Sequence, residues 1–197
     1  MFVKICGLTD VSGIEAAIEA GADALGFVFA ESPRRIEPGR ALELCRIVPE
    51  TTIRVAVMHH PTREAFDEVM SGFAPDWIQT DAADFTSLPE PGDAAMLPVY
   101  RDGETEGLTH FPPRLLFEGR RSGSGTTADW DEAHRIARES ELILAGGLDA
   151  GNVEAALNRI RPFGVDVSSG VESERGRKDP ARIREFVARV RAWEKQQ

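Results

Sequence analysis

Cysteine is scarce in this chain: of 197 residues only two, Cys6 and Cys45, carry a thiol. Two cysteines cannot build a disulfide framework, and a reducing compartment is the simplest setting for them. Positive charge is also short. Lys and Arg number 23 against 33 Asp and Glu, a formal net charge of −10. Nucleic acid and anionic membrane surfaces both call for a basic face, so neither is an expected partner. A phosphorylated small molecule stays open, because a small site can be locally positive on an acidic protein. Long apolar runs are missing too. None approaches the roughly 18 residues that read as a bilayer span. The first residues form a strand pattern, without a charged and then apolar leader, so no signal peptide is expected. These absences leave a cytoplasmic enzyme or binding protein.

What is present is alternation. Short apolar, β-branched runs stand at 2–6, 24–29, 53–58, 76–80, 94–100, 114–118, 142–145 and 163–169. Between most of them lie helical patterns such as VSGIEAAIEAG, PGRALELCRIV, TREAFDEVMSGF and AGNVEAALNRI, and DPARIREFVARVRAWEKQ follows the last strand. Thr9 or Asp10 can cap the first helix, Pro38 suits the first turn of the second, and Asp179-Pro180 opens the last. The connections 80–88 and 102–113 are poor helices. Strands alternating with crossover helices imply a parallel sheet. Eight such units in about 200 residues point to one α/β domain over 1–197, a (β/α)8 TIM barrel with its active site on the C-terminal face.

That fold directs attention to the strand ends. LAGGLDAGNV and VDVSSGVE each place small residues between an apolar strand and a helix, where glycine lets the backbone approach an anion and free amides bind it. Gly146, Gly147, Ser168, Ser169 and Gly170 are therefore the phosphate-binding candidates. Tight turns alone would also explain the glycines. SGSG at 122–125 is a further flexible loop able to fold over a ligand. In the first strand, alternation sends Val3 and Ile5 to the helices and Lys4 and Cys6 inward. A buried lysine needs a counter-charge. Asp166 on strand eight, the neighbour across the barrel seam, supplies it, and the cation is expected to lower the Cys6 pKa. An inert core thiol is the other reading of Cys6, and it is the one adopted for Cys45 in RALELCRIV. Glu118 ends strand six and faces the site from the opposite side. A thiolate and a carboxylic acid flanking one substrate form a base–acid pair. Arg34, in SPRRI, suits a two-pronged grip on a carboxylate. His59-His60 follows strand three without a third ligand at useful spacing, so no metal site is expected. Trp77, Trp130 and Trp193 read as packing residues. There is no dinucleotide fingerprint and no P-loop lysine.

KICGLT, GADALGFVFAESPRR, SGSGTTADW, LAGGLDAGNV and GVDVSSGVE followed by GRKD resemble the phosphoribosylanthranilate isomerase family over essentially the whole chain. The resemblance implies an Amadori rearrangement of a phosphoribosyl substrate in tryptophan biosynthesis, with no metal or redox cofactor. It implies Cys6 as general base, Glu118 as general acid where the family carries an aspartate, and Asp166 as the strand-eight aspartate. It also implies Arg34 on the substrate carboxylate, the glycines and serines above on the phosphate, and Gln79 and Lys4 as further contacts. His59-His60 and Thr80-Asp81 depart from the family pattern. A histidine-pathway phosphosugar isomerase would need paired aspartates ending strands one and five. Here those strands end in Cys6 and in Tyr100-Arg101. A non-catalytic binder of a phosphoribosyl ligand is the rival from another class. The pattern does not separate a monomer from a homodimer.

Overall fold

The structure, a computed structural model, describes residues 1–108, 110–120 and 128–197. Its strands are β1 Phe2–Cys6, β2 Ala24–Val28, β3 Ile53–Val57, β4 Trp77–Asp81, β5 Ala95–Arg101, β6 Arg114–Glu118, β7 Glu141–Leu144 and β8 Gly164–Val167. Each pairs in parallel with the next, and β8 returns to β1, closing a barrel. The helices are α1 Val11–Ala20, α2 Pro38–Leu44, α3 Arg63–Phe73, α4 Trp130–Ala137, α5 Val153–Ile160 and α6 Pro180–Glu194. This is the (β/α)8 architecture expected from the alternation.

Local chemistry sets the helix starts. Asp10 accepts from the Gly13 amide at 2.8 Å and Asp179 from the Ala181 amide at 2.9 Å, each satisfying a donor that the first turn leaves over. Gly21 ends α1 in the left-handed region, with φ 84°, a conformation that costs glycine little. The two weak connections are irregular. After β4 there is a single 3-10 turn, Asp84–Thr86, and no helix lies between β5 and β6 among the described residues. A small hairpin, β9 Glu172–Glu174 with β10 Arg177–Lys178, was not foreseen; strands of three and two residues are too short to show alternation.

Two apolar layers hold the barrel. The outer one lies between strands and helices and includes Val3, Ile5, Leu25, Phe27, Leu115 and Phe117 with Ile14, Phe73, Ile136 and Phe186. The inner one fills the barrel with Leu97, Val99, Leu116, Ile143 and Ala145. Phe2 stacks on Trp77 and Phe163 against this inner layer, and the Arg114 guanidinium lies over both Trp77 and Phe163. The lower interior is thus plugged, and space for a ligand remains at the strands' C-terminal ends.

Candidate active site

A cavity of about 1020 Å³ opens there, lined by Cys6, Arg34, Gln79, Asp81, Arg101, Glu118, Asp166 and Ser168 among others. Residues from seven of the eight strands and the loops after them meet in it, as barrel geometry requires.

Cys6 sits at the end of β1 opposite Gly26 of β2. A Cβ on Gly26 would lie 3.0 Å from the Cys6 Sγ and 3.1 Å from the Lys4 Nζ, so the missing side chain makes the room in which thiol and ammonium meet. Lys4 is fully buried, and its Nζ bonds Asp166 Oδ1 at 2.9 Å, across the register pair that closes the barrel. Burial opposes the Lys4 charge, but Asp166 and the neighbouring thiol outweigh it and raise the lysine's pKa. The expectation of an acidified thiol is corrected. Burial pushes Cys6 up, and although Lys4 and Lys178 pull it down, the net shift is upward. Cys45 is raised by burial to about 11, although Arg54 pulls it down, and is buried core, as its setting suggested.

Glu118 ends β6 and lines the same cavity. Arg101, ending β5, reaches it with Nε at 3.2 Å and holds Asp81 Oδ1 with Nη1 at 2.6 Å. Arg101 was assigned no role from sequence beyond its place at a strand end, and Asp81 only that of a substitute acid should Glu118 prove dispensable. Gln79 is buried beside them and lines the cavity, and its Oε1 has no hydrogen-bond partner among the described residues. It is an acceptor suited to a ligand's hydroxyl or N–H.

Arg34 is also in the lining, but part of its fork is already engaged. Nε and Nη2 grip Glu172 Oε1 and Oε2 at 2.6 and 2.9 Å. The Lys178 Nζ and the Gly176 amide bond the same carboxylate at 2.8 and 3.2 Å. Burial opposes the Glu172 charge, but these donors win and hold its pKa at about 2. Glu172 and Lys178 escaped sequence reasoning because the hairpin that carries them did. Lys178 also bonds the Ser168 carbonyl at 2.9 Å and Oγ at 3.1 Å, which fixes the serine where it meets the cavity.

Of the other phosphate candidates, Gly146 and Gly147 follow β7 with φ 86° and 64°, and Ser169 and Gly170 form a 3-10 turn after β8. A Cβ on Gly170 would fall 2.0 Å from the Leu148 carbonyl oxygen, so glycine is what lets the two loops touch. The SGSG segment at 122–125 lies outside the described residues. The statement that His59-His60 lack a third ligand is corrected: Asp81, from the next strand, brings its carboxylate within 4.8 Å of both imidazoles. Sequence spacing missed it because parallel neighbours in a barrel are far apart in the chain.

A closed parallel barrel with a polar cavity on its C-terminal face defines the TIM-barrel class, with a site scaled to a small molecule. Residues 3–189 match the family model for N-(5'-phosphoribosyl)anthranilate (PRA) isomerase, and the chain belongs to that family. It is 36% identical to the N-(5'-phosphoribosyl)anthranilate isomerase of Listeria welshimeri, over 98% of this chain and all of that one. The solved phosphoribosyl anthranilate isomerase of Thermus thermophilus superposes with a TM-score of 0.82 at 28% identity, covering 98% of this chain and 99% of that chain. A second solved isomerase, in complex with reduced 1-(o-carboxyphenylamino)-1-deoxyribulose 5-phosphate, gives 0.80 at 28% identity with the same coverage.

Proposed function

We propose that this chain converts N-(5-phosphoribosyl)anthranilate to 1-(2-carboxyphenylamino)-1-deoxyribulose 5-phosphate, a step of tryptophan biosynthesis. Family membership is the observation that carries the reading, and the cavity supplies groups suited to it. The reaction moves protons within one molecule and consumes no oxidant or reductant. Glu118 protonates the ribose ring oxygen, and the ring opens to an imine. Cys6, as thiolate, takes the proton from C2′; the resulting enol then tautomerises to the ketone. Lys4 and Asp166 hold the thiol's surroundings in place, and Asp166 lies in the cavity wall beside it. Gln79 Oε1 accepts from a substrate donor. Gly146, Gly147, Ser168, Ser169 and Gly170 receive the phosphate. Arg34 presents the edge of its fork not engaged by Glu172 to the anthranilate carboxylate.

No helix among the described residues is long and apolar enough to cross a membrane. We place the enzyme in the cytoplasm, acting as one barrel domain, monomeric or homodimeric, on a small-molecule substrate.

The test is the decay of phosphoribosylanthranilate fluorescence, coupled to the downstream synthase, in wild type and Cys6→Ser. Loss of a positioned base should cut kcat by more than about 100-fold. A loss of less than about tenfold removes Cys6 from the base role, and absence of any wild-type turnover leaves a binding protein.

A further inference from the structure

On the rim of the cavity His59, His60 and Asp81 bring one possible ligand atom each within 4.8 Å of the others. The Asp84 Oδ1 lies 2.9 Å from His60 Nδ1, and Asp84 Oδ2 accepts from the His60 amide at 3.1 Å and from Thr80 Oγ1 at 2.5 Å. A carboxylate on Nδ1 makes that nitrogen the donor and leaves Nε2 as the atom that can take a metal ion. Nε2 then faces Asp81 Oδ2 at 3.2 Å, and His59 Nε2 faces the same oxygen at 3.7 Å. The Asp84 contacts also hold His60 at φ 46°, in the left-handed region. This backbone outlier keeps the two neighbouring imidazoles on the same side, their ring centroids 4.1 Å apart.

We propose that His59 Nε2, His60 Nε2 and Asp81 Oδ2 bind one divalent transition ion of the zinc, cobalt or nickel class, with Asp84 orienting His60 from behind. Bonds of about 2.0–2.2 Å at tetrahedral angles set ligand atoms about 3.4 Å apart. The two edges to Asp81, 3.2 and 3.7 Å, bracket that spacing, and the edge between the imidazoles is no longer than 4.8 Å. Two imidazoles and one carboxylate form a borderline donor set that favours these ions over calcium or magnesium. Asp81 keeps Oδ2 for the ion because Arg101 takes Oδ1 at 2.6 Å. The guanidinium charge lowers the affinity relative to an isolated site. His59 and Asp81 both line the large cavity, so the remaining coordination positions open toward its mouth. The site opens into the same cavity as the thiol, and Arg101 links its Asp81 to Glu118.

The untagged full-length chain, stripped with a chelator, is titrated with Zn²⁺ by calorimetry and with Co²⁺ by visible absorption. The expected result is one ion per chain. Both histidines are more than half exposed, so His59→Ala and His60→Ala fold, and each should weaken binding at least tenfold. Asp84→Asn should weaken it by about 10–100-fold, the usual effect of losing a group that orients a ligand. Any of three results overturns the proposal: no uptake by the wild type, affinity unchanged in the double histidine variant, or a thiolate-to-cobalt charge-transfer band placing the ion on a cysteine.

Discussion

At the scale of the residue, Cys6 shows how two physical effects compete over one proton. Burial disfavours the thiolate, while Lys4 and Lys178 favour it, and burial wins. Only the ionised fraction can act as a base, so the rate should track that fraction. The free enzyme's base is reported by kcat/KM. Because the Cys6 pKa is raised above its ordinary value, kcat/KM should still be climbing with pH through the ordinary thiol range. A plateau reached near neutrality would mean that a different group takes the proton. The position of Cys6, Lys4 and Asp166 was legible in the sequence because strand alternation has a strict period of two. The direction of the thiol's shift was not, because desolvation depends on what covers the group, and Gly26 and the neighbouring strands do that covering. The Arg34 fork illustrates the same limit. Its place on the β2 loop follows from the motif, yet its partner Glu172 lies 138 positions away, in a hairpin without sequence signature.

At the scale of elements, two loops have to meet before the proposed phosphate site exists. The turn after β8 packs on the chain after β7, and Gly170 sits at the contact with no space for a Cβ beside the Leu148 carbonyl. A backbone oxygen cannot rotate away as a flexible side chain would. Gly170→Ala should therefore push the loops apart, raising KM for the phosphoribosyl substrate and destabilising the fold by about 1–3 kcal/mol, the range for overpacking a close contact. Substrate titrations and urea melts check both parts, and an unchanged KM would remove this turn from the phosphate site. Most elements were legible: eight apolar runs became eight strands within a residue or two, and capped periodic segments became helices. The failures share a cause. The hairpin β9–β10 is shorter than the period that would reveal it, and the His59, His60 and Asp81 cluster depends on strand neighbours rather than on spacing.

At the scale of the whole molecule, Glu172 joins parts of the chain that the barrel alone leaves separate. It ties the β2 loop through Arg34 to the β8 hairpin through Lys178, and all three side chains are buried. Its pKa is about 2 in the folded protein against 4.5 for an ordinary glutamate. A carboxylate depressed by folding stabilises the native state above its unfolded pKa, and that stability fades as pH falls toward the folded one. The drop from 4.5 to about 2, at about 1.36 kcal/mol per unit, is on the order of 3 kcal/mol. Lys178 offsets part of this, since burial lowers its own pKa despite Glu172. Thermal melts between pH 5 and pH 2 should therefore show the wild type losing stability steadily. Glu172→Gln should be less stable than wild type at pH 7, where it leaves two buried cations without their carboxylate, at a cost of about 3–5 kcal/mol. The difference between the two proteins should shrink as the pH falls, because acid removes from the wild type the charge that the variant already lacks. A constant difference across that window would show that the carboxylate stabilises by its shape and not by its charge, and that the acid sensitivity of the barrel originates elsewhere.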